Sequence, residues 1–174
     1  LERVTGHRPQ GYRSPSWDLS PNTIELLLEA GFTYDSSMMG NDFHPYYARE
    51  GDSFDLTSPY RFGRAVDLVE MPVTWGLDDV PAFEYISLPQ KLYPGLRPPD
   101  QVFDIWMGDF DYMHQHETGG VFILTMHPQV IGRGHRMLFL ERLLTYMSQK
   151  EGVVFARMLD YVQTWKGGER EQAN

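Results

Sequence analysis

Between Pro99 and Glu117 the apolar residues Val102, Phe103, Trp106, Phe110 and Met113 recur at helical spacing, which predicts a helix with those five on its buried side. His135 to Glu151 predicts a second helix closed by Gly152, and Arg157 to Trp165 a last one. Nearer the start, Ser20-Pro21 reads as a helix opening, with Ser20 as N-cap and Pro21 as first helical residue. Ile24, Leu27 and Leu28 share a face of that helix, and Gly31 closes it. Strands are predicted at Gly11 to Ser14, Phe32 to Ser36, Asp67 to Thr74 and Val153 to Phe155. VFILTM, Val121 to Met126, is the most apolar run and the best candidate for a buried parallel strand.

Two long segments lack a period. Gly40 to Gly63 is aromatic and acidic, Asp78 to Pro99 is proline-rich, and both read as loops of the length that usually carries function. The resulting order, β-α-β-loop-β-loop-α-β-α-β-α, is an α/β pattern. Short strands feeding long polar loops suggest a barrel-like sheet with a site at the strands' carboxyl ends. Residues 1–165 read as one domain, and 166–174, ending in GGEREQAN, as a frayed tail.

Composition narrows the classes. A chain of 174 residues, 41% hydrophobic, is one domain or a piece of a larger one. A net charge of −9 without a lysine or arginine run argues against nucleic acid as partner. No apolar segment approaches the length that crosses a membrane. With no cysteine, disulfides, thiolate metal sites and cysteine nucleophiles are excluded, which fits a cytoplasmic location. The opening LERVTGHRP reads as the end of a helix and its exit turn, so further sequence is expected upstream.

Several side chains could do chemistry. His127 follows VFILTM directly, at the strand end where an α/β sheet places its site, and could give a proton to a leaving amine near neutral pH. The alternative is a satisfied structural histidine. Arg13, stiffened by Pro15 and flanked by Trp17, is either a surface cation stacked on the indole or a fixed charge that orients a carboxylate. Asp35, Asp42, Asp78 and Asp79 are candidates to pair with it. The adjacent pair Asp78-Asp79 on a predicted loop weighs less, because such pairs are usually solvated. Asp42 lies among Phe43, His44, Tyr46 and Tyr47, which either line a substrate pocket or pack the loop down. His114 and His116 point apart on a helix, and no zinc spacing, phosphate loop or Gly-x-Ser-x-Gly elbow is present.

Three ordered stretches carry a resemblance. GYRSPSWDLSPNTIELLLEAGFTYDSSM resembles the Arg-x-Pro-aromatic segment of polysaccharide deacetylases with the helix and strand after it. FILTMHPQVIGRGHRMLFLERLLTYM is similar to their late strand ending in Leu-x-His. YDSSMMGNDFHPYY and LVEMPVTWGLDD look like the branch with peptidoglycan-deacetylase-like proteins and metal-independent allantoinases. The likeness runs from Leu1 to about Trp165.

The resemblance implies the C-terminal portion of a distorted (β/α) barrel whose bacterial parent hydrolyses non-peptide carbon–nitrogen bonds. The expected reaction is N-deacetylation of an amino sugar in peptidoglycan or a chitin-like polymer. His127 would protonate the amine, Arg13 would orient a catalytic aspartate, and Trp17, Asp35, Asp42, Tyr46, Tyr47, Trp75 and Asp78 would contact substrate. Most members hold a divalent metal, usually zinc, through an aspartate and two histidines in Asp-Asp and His-x-x-x-His motifs that precede the arginine segment. Neither motif is in this chain, so it is expected to hold no metal by itself, to be inactive alone, and to associate with itself or with the missing part. Asp35-Ser36-Ser37 stands where the family has Asp-x-x-Asp-Trp; the absent tryptophan favours small ureides, making an allantoinase-like activity the alternative within enzymes. A carbohydrate-binding module built on Tyr46, Tyr47, Trp75 and Trp17 is the alternative outside them.

Overall fold

The computed structural model describes residues 1–89, 91–93 and 95–172 and divides the chain into two compact units. The first comprises Leu1–Pro72 and the stretch from Ala156 onward; the second is Val73–Phe155. Each has strands and helices, so the α/β reading holds. No helix among the described residues is long and apolar enough to cross a membrane.

In the first unit, β1 (Gly11–Tyr12), β2 (Tyr34–Asp35), β3 (Tyr46–Glu50) and β4 (Arg64–Glu70) form one sheet in the order β1-β2-β4-β3. The first three in that order are parallel, and β3 runs antiparallel to β4. Gly40 to Gly63, expected to be a loop, therefore contains a strand. Its register shifts between Tyr47 and Arg49, and that bulge breaks the alternation that marks a strand in sequence. Leu27, Ala48, Val66 and Leu68 form the buried cluster, with Tyr12, Ile24, Leu28, Phe32 and Met38 packed against it. Leu27 and its neighbours come from α2 (Thr23–Glu29), which starts after a Ser20–Thr23 turn and not at Pro21. A four-residue helix, α1 (Glu2–Thr5), precedes β1.

The hairpin between β3 and β4 is built on two carboxylates. Asp52 accepts from Arg49 Nε (3.0 Å) and Nη2 (2.9 Å), from Gly63 N (2.7 Å) and from the Tyr60 hydroxyl. Asp55 accepts from Thr57 N at 2.7 Å and Ser58 N at 2.8 Å. The rings of Phe54 and Tyr60 stack at 6.2 Å, Tyr60 meets Phe62 at 4.9 Å, and Arg49 lies 4.6 Å above Phe62.

The second unit holds α3 (Asp79–Phe83), the antiparallel hairpin β5 (Ile86–Leu88) and β6 (Lys91–Tyr93), α4 (Pro99–His116), α5 (Pro128–Ile131) and α6 (Gly134–Ser148). Asp78 to Pro99 is thus structured where a loop was expected. All five residues predicted for the inner face of α4 are buried. Their core includes Phe83, Trp106 and Phe139, whose rings meet at 5.4–6.5 Å in edge or tilted contacts. Burying each such side chain contributes about 1.5–3 kcal/mol.

Two expected strands are absent among the described residues. VFILTM makes a single parallel bridge, Thr125 to Asp78, through Thr125 N to Leu77 O (2.9 Å) and Asp79 N to Thr125 O (3.1 Å). Val121 to Leu124 are only half-buried and carry no ladder, because a run of apolar residues becomes a strand only where neighbours supply hydrogen bonds along it. Val153–Phe155 makes no ladder either, and Val154 and Phe155 are 81% and 60% exposed. The final helix, α7 (Met158–Gln172), belongs to the first unit and runs past the expected end at Trp165; Ala173 and Asn174 of the expected tail lie outside the described residues.

Candidate active site

The sequence-predicted residues fall into two clusters, one in each unit. In the first unit the chain leaves β1 at Arg13 and enters a tight turn, Pro15–Trp17, in which Ser16 and Trp17 both have φ of 54°. Two successive non-glycine residues in the left-handed region cost about 1–3 kcal/mol each, and such strain concentrates at functional sites. The turn is held by Trp17 N to Ser14 O at 3.0 Å and by the Ser14 hydroxyl on Asp18 O. Arg13 donates from Nε to Ser36 O (3.0 Å) and from Nη2 to Ser36 Oγ (2.7 Å). Ser36 Oγ passes a hydrogen bond on to Met71 O at 2.8 Å.

Behind Ser36 lie two fully buried carboxyls, Asp35 and Glu70, cross-strand neighbours on β2 and β4. Burial, then the charge of Asp35, pushes Glu70 up to about 9; burial likewise raises Asp35, against weaker pulls from Ser37 and others. Asp35 is thus interior, so its carboxyl shapes the chain beneath Arg13 and is not exposed to a solute. Glu70 was not singled out in the sequence, although a glutamate inside the apolar run LVEMPV was its signal.

The aromatic candidates of this unit are engaged in structure. Tyr46 is half-buried, accepts from Gly40 N at 2.9 Å, and is pushed up to about 12 by burial and the charge of Glu70. Tyr47 packs on Trp165 at 5.2 Å. Asp42 is exposed beside Asn41, which orders the turn by accepting from Phe43 N (3.0 Å) and His44 N (2.9 Å).

In the second unit His127 meets Asp79. Asp79 Oδ1 is 2.7 Å from the ring Nδ1, and its Oδ2 accepts from the His127 backbone N–H at 2.9 Å. The aspartate side chain is 0% exposed and the imidazole 38%. The carboxylate therefore fixes the ring with Nδ1 as donor, and leaves Nε2 as the nitrogen that can exchange a proton. Asp78, by contrast, is the N-cap of α3, accepting from Val80 N at 2.7 Å. The pair expected to be solvated is buried, and its second member holds the candidate acid. The signal was an Asp directly after a cap residue, but its partner lies 48 positions away in sequence.

A cleft of about 130 Å³ adjoins this cap, lined by Trp75, Asp78, Arg97, Ile105 and Trp106 among others. Trp106 Nε1 donates to Gly76 O at 2.8 Å, which sets the turn that presents Trp75, itself 46% exposed.

Ligand atoms of Asp78, Asp79 and His127 converge within 4.8 Å, a set whose chemistry suits a divalent cation. Both Asp79 oxygens are already engaged by His127, and Asp78 caps a helix, so binding there would break the dyad. The set also differs from the aspartate and two histidines that the resemblance implies. These residues fit a histidine–carboxylate dyad better than that metal centre.

No protein-family model matches the chain. It is 37% identical over 163 residues to the peptidoglycan deacetylase of Helicobacter pylori, covering 88% of this chain and 55% of that protein. A peptidoglycan deacetylase-like protein of Gibberella zeae, FGM2, is 26% identical, with 85% and 48% covered. Among solved structures, one from Mycobacterium smegmatis assigned to the polysaccharide deacetylases superposes with a TM-score of 0.78 at 30% identity, over 97% of this chain and 53% of that one. The chain belongs to the polysaccharide deacetylase family. It spans about half the length of the curated relatives it matches, which fits a C-terminal part of such a deacetylase.

Proposed function

We propose that the protein carrying this chain removes N-acetyl groups from amino sugars, with peptidoglycan as the substrate class. The observation that carries this reading is the Asp79–His127 dyad, set in a chain with a 37%-identical relative named for peptidoglycan deacetylation. Hydrolysis of an N-acetyl group adds water to the carbonyl carbon and breaks the carbon–nitrogen bond, so the departing nitrogen needs a proton. His127 Nε2 supplies it, while Asp79 holds Nδ1 and stabilises the imidazolium before transfer. Within the first unit, Arg13 is a fixed cation whose guanidinium is oriented by Ser36. Trp75 and Arg97 at the cleft offer an apolar ring and a charge to a sugar and its substituents.

Acetate release from peptidoglycan by the protein carrying this chain tests the reading, with allantoin as the control substrate. His127→Ala should lower kcat by about 10²–10⁴, the usual contribution of a positioned acid. Turnover of allantoin in preference to peptidoglycan, or an unaffected His127→Ala variant, overturns it.

A further inference from the structure

We propose that Asp35 and Glu70 hold one proton between them, and that this singly charged pair is what positions Arg13. The inference rests on the reading of Arg13 as part of the site, but its geometry stands by itself.

The two residues are register partners across parallel strands, and neither has any exposed surface. Two of their four carboxyl oxygens have clear partners. Glu70 Oε1 accepts from Ser37 N at 2.8 Å and Met38 N at 2.7 Å, and Asp35 Oδ1 accepts from Ser37 Oγ at 2.8 Å. The remaining oxygens, Asp35 Oδ2 and Glu70 Oε2, are buried with no other partner, and the two carboxyls lie within hydrogen-bonding reach of each other. With both groups ionised, two adjacent charges and two unsatisfied acceptors would share a dry interior. One shared proton removes both defects, and the two groups then titrate as a pair.

The surroundings do not offset a second charge. Tyr46 faces Glu70 from β3 with its hydroxyl pushed up to about 12, so it stays neutral; Tyr34, next to Asp35, is also raised by burial. Arg13 favours the charged form of Asp35, but as the least of the influences on it. Arg49 acts on Tyr46 from further along β3.

The pair grips the chain that in turn grips Arg13. Ser37 and Met38 are fastened to Glu70 by their backbone N–H groups, and Ser37 Oγ also accepts from Ser14 N at 2.8 Å. Ser36, between these anchors and β2, presents both its carbonyl and its hydroxyl to the guanidinium. Asp35 and Glu70 are positioning residues: they act on Arg13 through Ser36–Met38 and touch no substrate.

The test is thermal unfolding of the 174-residue chain across pH, beside the side-chain Nε–H signal of Arg13 by nitrogen-15 NMR. A carboxyl with a raised folded value keeps its proton where the unfolded chain has released it. Its stabilisation is therefore full below 4.5 and is lost as pH rises towards about 9, up to tenfold in the folding constant per pH unit. In Glu70→Gln the amide still accepts from Ser37 and Met38 and donates to Asp35 without needing a proton. That variant should fold, show a flatter slope between those pH values, and keep the Arg13 signal. Glu70→Ala should lose the signal. A Glu70→Gln slope equal to the wild type, or an Arg13 signal that survives Glu70→Ala, overturns the proposal. If Glu70→Ala does not fold, the Glu70→Gln slope still decides. None of these measurements uses a substrate, so the deacetylase reading stands or falls separately on His127→Ala.

Discussion

Asp79 holds His127 at two points, the backbone N–H at 2.9 Å and the ring Nδ1 at 2.7 Å, from a position with no solvent exposure. One carboxylate thus fixes both where the chain runs and how the imidazole is turned. Asp79→Asn presents an amide of the same shape, but its N–H₂ cannot accept from Nδ1, so the ring loses its orientation. On the proposed deacetylase reading, kcat for acetate release by the protein carrying this chain should fall by about 10²–10³ with KM nearly unchanged, on the scale of losing a positioned acid. Steady-state kinetics of Asp79→Asn beside His127→Ala checks this; losses that multiply in the double variant would mean the two act independently.

Arg136 on α6 performs a comparable task for the backbone of the second unit. Its Nη1 donates to Glu84 Oε1 and Val130 O, both at 2.8 Å, its Nη2 donates to Phe83 O at 3.1 Å, and the guanidinium lies 4.9 Å from the Phe83 ring centre. One buried side chain therefore ties α3, α5 and the chain after α3 together. Arg136→Met should destabilise the second unit by about 3 kcal/mol, since it strands a carboxylate and two carbonyls. Arg136→Lys should recover only part of this, because an ammonium lacks the planar fork. Denaturant midpoints of the two variants test the order; a wild-type midpoint in Arg136→Met would refute it.

The hairpin of the first unit should open in acid. Asp52 is held well below the usual carboxylate range by its hydrogen bonds to Arg49, then Tyr60 and Gly63; Ser58 and Thr57 hold Asp55 down in the same way. A carboxylate with a depressed folded value stabilises above its ordinary pKa of 3.8 and loses that contribution as pH falls through the folded value. The Gly63 amide, 2.7 Å from Asp52, should keep its shift to below pH 3.8 and then move together with the Tyr60 ring signals. Asp52→Asn should abolish this joint transition, and a transition that persists in the variant would contradict the assignment.

Much of the helical scaffold was legible in sequence and much of the sheet was not. The inner face of α4 follows from spacing alone, because one helix buries one stripe whatever it packs against. VFILTM shows the opposite case: its hydrophobicity is real, but laddering depends on neighbours that no local pattern reveals. β3 was hidden by its own bulge. In the site, His127 was legible from its place after an apolar run, whereas Asp79 was discounted because nothing in LDDV says which carboxylate turns inward. Asp35 was identified for the wrong surroundings, since burial beside Glu70 is a property of strand register.

The left-handed turn at Ser16 and Trp17 has a consequence for how this protein can change. A glycine at either position would adopt φ of 54° without penalty, so selection for robustness alone would move these positions towards glycine. At Trp17 that step removes the indole. At Ser16 it loosens the segment that follows Arg13. Relief of backbone strain and retention of these side chains therefore pull in opposite directions within one turn of backbone.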